Sequence, residues 1–289
     1  MYRIGIIGAE NSHASDISRR INLPDEKGNY TFPDCRVTHI FGRYPEENEK
    51  VASAFGAEVA SGVEEMLEKV DAVMVTARDG KYHAEYARPF IEAGKPAFID
   101  KPFTVDLQEA LDLVELAREK KVPLCGGSTL KFADGVEELG RLVRLAPEGV
   151  LGGSVYAPVQ MESEYSGFFF YSSHLVEMTL EIFGYSPLAV TAVRNPAGVC
   201  ATVDYGNFCV SNHFGSGAPD YCASVYSRAG SKAMNIDLSM IGAKNVAVFV
   251  EMLRTGLMPT TYEKLVAPVV YMNAVKKAYE TGEKVVLEF

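Results

Sequence analysis

The chain has 289 residues, 47% of them hydrophobic and 23% charged, with 28 Lys and Arg against 38 Asp and Glu for a formal net charge of −10. That length supports two domains with substantial cores. The acidic balance argues against nucleic acid and anionic membrane surfaces as partners, since both are bound through clustered Lys and Arg. No apolar run approaches membrane-spanning length; the densest, residues 246–250, stops at Glu251. The start of the chain reads directly as a strand with no basic leader, so no secretory signal is expected. Five cysteines without a CxxC pair read as buried thiols, and the expected compartment is the cytoplasm.

The first 126 residues alternate apolar strands with helices, the pattern of a parallel sheet. Arg3 to Gly8 reads as a strand and residues 12–22 as a helix with Ala14, Ile17 and Ile21 on one face. A polar loop leads to a strand over residues 35–41, then to a helix over 45–55 with Pro45 in its first turn. Ser61 and Glu64 have capping-box spacing for a helix ending at Lys69. Residues 71–77 read as a buried strand, 81–94 as a helix and 96–100 as a further strand. Asp106 and Glu109 cap the next helix, and residues 122–126 close the sheet.

Beyond about residue 150 the segments become short, alternating and punctuated by Gly and Pro, which predicts antiparallel strands. One helix interrupts them, roughly residues 172–183, carrying His174 and Glu177. A final helix capped by Thr260 and Glu263 runs toward Gly282, and residues 284–289 read as a last strand. The expected class is α/β. A parallel-sheet domain over residues 1–126 precedes an α+β domain over 127–289 with a mostly antiparallel open sheet. The helix over about 261–281 is expected to pack back on the first domain. An open antiparallel face is a natural surface for a homodimer or homotetramer.

In parallel α/β sheets, ligands bind beyond the carboxyl ends of the strands, where the strand order reverses. The loops there hold Gly8 to His13, Gly42 to Tyr44, Thr76 to Tyr82 and Asp100 to Phe103. Asp100-Lys101-Pro102 is the most informative triplet, because a Lys before Pro at a strand end is extended and aimed into the crevice rather than along a surface. On spacing alone an ordinary surface Lys is an equal reading.

The run DAVMVTARDGKYHAEYARPFIEAGKPAFIDKPFT, with IGIIGA near the start, SSHLVEMTLEIFG and the ending VVYMNAVKKAYETGEKVV, resembles the glucose–fructose oxidoreductase, inositol dehydrogenase and MocA (Gfo/Idh/MocA) oxidoreductases. DKP stands as a variant of that family's EKP motif. The resemblance implies a Rossmann domain followed by a mostly antiparallel sheet, and NAD- or NADP-dependent oxidation or reduction of a sugar, polyol or cyclitol. It implies that Lys101 lies beside substrate and nicotinamide and that His174 and Glu177 carry catalysis. A dinucleotide would then meet Gly8, Ala9, Asn11, Ser12, His13, Gly42, Arg43, Thr76, Ala77 and Lys101. Removing a hydride from a carbinol carbon requires a base for the hydroxyl proton; His174 suits this untuned, while Lys101 needs a lowered pKa or acts as a charged polarising group. Tyr171, beside His174 in sequence, is a candidate wall of the substrate pocket.

Several positions depart from the family pattern. The dinucleotide loop G-x-G-x-x-G reads Gly8-Ala9-Glu10-Asn11-Ser12-His13, so a carboxylate stands where the backbone should approach the diphosphate. Gly42 replaces the acidic residue that grips ribose, and Arg43 beside it suits a 2′-phosphate, favouring NADP over NAD. Phe170 replaces an aspartate four positions before His174. Asn11 or Ser12 is a natural helix cap. Glu10, His13 and His83 match no standard metal spacing, so no metal is expected. The alternatives are a lyase, epimerase or hydrolase using the same Lys and His without an exchangeable dinucleotide, or a regulatory binder that keeps only the pocket.

Overall fold

The computed structural model describes residues 1–217 and 219–288. In chain order the first part comprises β1 (Tyr2–Ile7), α1 (Ser12–Asn22), β2 (Cys35–Phe41), α2 (Pro45–Phe55), β3 (Glu58–Val59), α3 (Val63–Lys69) and β4 (Ala72–Val75). It continues with α4 (His83–Glu92), β5 (Ala97–Ile99), α5 (Leu107–Lys120) and β6 (Leu124–Gly126). The six strands form one sheet in the order β3-β2-β1-β4-β5-β6, with every pairing parallel. β1 and β4 are therefore neighbours although far apart in sequence. The order reverses between them, which places the loops after β1, β4 and β5 at the switch point.

The second part comprises α6 (Asp134–Leu145), β7 (Val150–Pro158), α7 (Phe169–Phe183), β8 (Ala189–Asn195), β9 (Gly198–Asp204), β10 (Cys209–Gly215), β11 (Cys222–Ser227) and β12 (Gly230–Asn235). After it come α8 (Ile241–Thr255), α9 (Tyr262–Thr281) and β13 (Val285–Val286). Its seven-stranded sheet has the order β12-β11-β7-β10-β9-β8-β13. All its pairings are antiparallel except β7 with β10, which run parallel. Alternation alone does not distinguish the two directions, so the parallel pair was not readable in the sequence. The final strand covers only Val285–Val286 of the expected 284–289, and Phe289 lies outside the described residues.

The chain divides into two compact units, residues 1–127 with 242–262, and 128–241 with 263–289. The late helix that joins the first unit is thus α8, whereas α9 from Glu263 onward belongs to the second. The reason lies in α8: Val246, Phe249, Val250, Met252 and Leu253 are buried in one core with Ile4, Ile6, Met74 and Phe98. Phe249 meets Phe98 edge-on at 6.3 Å. Arg254 forms two hydrogen bonds with Asp34, at 2.8 and 2.6 Å. The sequence pass missed α6 and α8 because both lie beside glycine-rich or β-like stretches.

Local chemistry sets most other boundaries. Asn11 caps α1 and Asp106 caps α5 by accepting the Glu109 amide at 3.0 Å. The expected Ser61–Glu64 pair is corrected to Ser61–Glu65, whose carboxylate accepts from the Ser61 amide and hydroxyl at 2.8 and 2.7 Å. The helix expected over 81–94 opens as a 3-10 turn, Gly80–Tyr82, capped by Asp79, before α4 begins at His83. α7 starts at Phe169 rather than at residue 172, because Phe169 and Phe170 are buried on its first turn.

Gly126 ends β6 at φ +143°, and a Cβ there would stand 1.8 Å from the Ile99 carbonyl oxygen of β5. Gly126→Ala is expected to cost at least about 2 kcal/mol of stability, since both backbone strain and a backbone clash must be relieved. Urea denaturation measures this; an unchanged midpoint would contradict the close β5–β6 approach.

Candidate active site

On the first unit, the loop after β1 is built on Gly8. Its φ is +105°, and a Cβ would stand 2.2 Å from the Ala77 amide nitrogen, so the loop lies directly against the exit of β4. Thr76 and Ala77, expected at a cofactor, are buried there. The Thr76 hydroxyl lies 3.3 and 3.1 Å from the Ile7 and Gly8 carbonyls, so it secures the loop from within. Ala9 is buried beside Gly42, where a Cβ would come within 3.4 Å of the Ala9 amide. Arg43 lies with its guanidinium 4.2 Å over the Tyr82 ring. Ser12 opens α1 as an exposed residue.

Glu10 is half-buried and turns toward β4: its Oε1 accepts from the Arg78 amide at 2.9 Å. Its Oε2 is buried with no hydrogen-bond partner among the described residues. Asn11 caps α1 by accepting the His13 amide at 3.2 Å, and its Nδ2 donates to Asp100 at 3.4 Å. His13 Nδ1 lies 2.5 Å from Asp100 Oδ2. The other Asp100 oxygen accepts the Lys101 amide at 2.7 Å. Burial alone would raise the fully buried Asp100 carboxyl, but the charge and hydrogen bond of His13, then Lys101, outweigh it and hold it at about 2. The Asp100 charge raises His13 against burial.

Lys101 is 5% exposed at the end of β5, followed by a cis bond to Pro102. Burial lowers its amine to about 8, Asp100 opposing and the Arg78 charge assisting. His83 holds this corner from beneath, its Nδ1 2.6 Å from the Pro102 carbonyl and its Nε2 2.8 Å from the Ala77 carbonyl. Glu10, His13 and His83 thus engage different partners, and among the described residues no three His, Cys, Asp or Glu side chains are arranged to hold a metal ion.

On the second unit, α7 carries His174 and Glu177 on adjacent turns, both nearly buried. The sequence expectation coupled them directly; both instead converge on Ser128. Ser128 Oγ lies 2.7 Å from His174 Nδ1, and the Ser128 amide donates to Glu177 Oε1 at 2.5 Å. Lys131 Nζ donates to Glu177 Oε2 at 2.9 Å. Glu177 and His174 thus share Ser128 as a common partner. Burial raises its carboxyl, opposed by Lys131 and the Ser128 amide. Tyr171 meets the His174 ring edge-on at 5.5 Å, and Tyr221 meets it at 6.0 Å. Burial pushes the Tyr221 hydroxyl up to about 12. Phe170 packs between Tyr165 and Tyr171, at 5.1 and 4.9 Å.

Sequence reasoning missed Ser128, Lys131 and Tyr221. The signal for the first two was the stretch GGSTLKF directly after β6, at the carboxyl edge of the parallel sheet. Tyr221 follows a glycine- and proline-bearing loop and carried no signal.

Residues 2–127 match the model of the Gfo/Idh/MocA oxidoreductase family, described as an oxidoreductase family with an NAD-binding Rossmann fold. An uncharacterized oxidoreductase of Streptococcus pneumoniae is 30% identical over 114 residues, 39% of this chain and 30% of the relative. UDP-N-acetylglucosamine 3-dehydrogenase of Acidithiobacillus ferrooxidans is 28% identical over 170 residues, 58% of this chain and 52% of the relative. The chain thus aligns with about half or less of the length of these curated relatives. The fold is that of scyllo-inositol dehydrogenase from Lactobacillus casei with bound NAD(H) and scyllo-inositol, with a TM-score of 0.84 at 14% identity over 99% of both chains. Among the described residues, no helix is long and apolar enough to cross a membrane.

Lys131→Met leaves the buried Glu177 carboxylate without its cation and is expected to cost about 3 kcal/mol near neutral pH. A carboxyl raised in the folded state favours folding when protonated, so this penalty shrinks as the pH is lowered. Chemical denaturation across a pH series reads it; a penalty independent of pH would contradict the buried pair.

Proposed function

We propose that the protein is an NAD(P)-dependent oxidoreductase acting on a sugar, polyol or cyclitol, with Lys101 and His174 assigned to the reacting carbon. The observation that carries this reading is Lys101: a buried lysine at the carboxyl end of β5, its amine lowered to about 8 by burial. That suits a group asked to take a hydroxyl proton under mild conditions. The match of residues 2–127 to a family model described as NAD-binding supports the cofactor class, and the relatives' names support the substrate class.

The residues around the β1–α1 loop fit a dinucleotide, with one obstacle. Gly8 keeps the loop close to the exit of β4, the N-terminus of α1 lies beside it, and Arg43 is exposed for a 2′-phosphate, which favours NADP. Glu10 is the obstacle: its unpartnered oxygen puts negative charge where a diphosphate would pass, and the side chain must turn away on binding.

A bound oxidised nicotinamide supplies the hydride acceptor. The chain's own residues manage the proton and the orientation. As the carbinol C–H bond breaks with its electron pair leaving as hydride, the hydroxyl proton passes to the Lys101 amine or to the His174 imidazole. Ser128 and Glu177 fix the imidazole orientation, and Tyr171 walls its flank. The substrate is a small polar molecule. The exposed face of the second sheet, where Val193 is 67% exposed, is the proposed self-association surface.

Glu10 alone favours a second reading, a lyase, epimerase or hydrolase using the same two residues without an exchangeable dinucleotide. Isothermal titration with NADP(H) and NAD(H) separates the two. Wild type is expected to bind NADP(H), and Glu10→Gly to bind it about tenfold more tightly by removing charge repulsion. No binding by either protein would overturn the redox reading. With a substrate in hand, Lys101→Ala and His174→Ala are each expected to lose at least about a hundredfold in turnover; unchanged turnover would remove that residue from the mechanism.

A further inference from the structure

His13 stands where a dinucleotide-binding loop has its third glycine, and its side chain turns to a buried carboxylate. Its ring nitrogen meets Asp100 Oδ2 at 2.5 Å, from a different element than the one that carries Lys101. Asp100 is completely buried, and its remaining oxygen is taken by the Lys101 main-chain amide. A buried carboxylate requires a cation, and two candidates flank this one. We propose that His13 is a positioning residue for Lys101: by holding Asp100 at the head of α1 it shares the carboxylate's charge, leaving the Lys101 amine able to release its proton under mild conditions. This deepens the role given to Lys101 above and rests on that reading for its purpose, though not for its measurement.

The charges around the pair point the same way. While the imidazole is protonated, Asp100 is compensated from α1, and burial dominates at Lys101, which sits at about 8 against an ordinary 10.5. Arg78, from the loop after β4, presses in the same direction on Lys101. Asp16, one turn along α1, favours protonated His13 alongside Asp100, whereas Lys101 disfavours it. His83 touches the Pro102 and Ala77 carbonyls rather than the carboxylate. If the imidazole's charge is removed, Asp100 must be compensated by Lys101 alone, and the ammonium form is stabilised. The two titrations are therefore coupled, each group setting the proton affinity of the other.

The test is carbon-13 NMR of the full chain labelled at lysine Cε, titrated with pH in the absence of cofactor and substrate, the Lys101 signal being assigned by its loss in Lys101→Arg. In wild type the midpoint is expected near 8. His13→Asn keeps a hydrogen-bond donor near the Nδ1 position without its charge. It is expected to move the midpoint upward by about one pH unit or more. The same coupling is read from the other end by the His13 ring signals in Lys101→Met, whose midpoint is expected to rise because a neighbouring cation has gone. Both midpoints unchanged, or a downward movement of Lys101 in His13→Asn, would overturn the proposal. Neither result depends on whether the protein binds a dinucleotide, so a failure here leaves the redox reading standing, and failure of that reading leaves the coupling measurable.

Discussion

A carboxylate with no solvent exposure sits at the end of the fifth strand, and the first unit is arranged around the need to compensate it. Taking such a charge out of water costs several kcal/mol unless cations and hydrogen bonds replace the lost hydration. Asp100 receives an imidazole and an amide side chain from the start of α1 and a main-chain amide from Lys101. These contacts tie the loop after β1 to the end of β5, two strands away across the sheet. The α1 terminus and the Lys101 main chain are held together by one buried charge. The strand order brings the loops together, and the charge makes their arrangement specific.

The second unit solves a similar problem with different residues. Glu177 is buried on α7 and is compensated by Lys131 and by the Ser128 amide, both from the segment that follows β6. Ser128 also meets the His174 ring, so a buried charge pair and the imidazole share one anchoring residue. The imidazole's ring plane is further fixed by Tyr171 and Tyr221. In the proposed role of base, an imidazole held in this way does not have to be ordered during reaction.

Most of the parallel domain was legible because its signals are local. β2 and α2 follow from apolar runs bounded by turn residues, and Asn11 and Asp106 announce their helices as caps. Lys101, just past the end of β5, and His174, on α7, were singled out from their motifs. What escaped depends on distant pairing. The parallel contact of β7 with β10, the placement of α8 in the first core, and the link from Ser128 to His174 all join residues dozens of positions apart. The His13–Asp100 pair spans 87 positions, and each member alone looks like an ordinary substitution in a known loop. Side-chain direction was also hidden: nothing in the sequence shows that Glu10 turns to the Arg78 amide.

Lys101 and His174 are proposed to serve a hydride transfer rather than a redox-free proton transfer. The most direct measurement uses a set of cyclitols and hexoses deuterated at carbon, incubated with the protein and oxidised NAD or NADP, with deuterium followed by mass spectrometry. Deuterium on the nicotinamide ring is the predicted result. Conversion of a deuterated substrate with its label released to solvent, or its conversion without any cofactor, would contradict the claim and assign the site to redox-free chemistry.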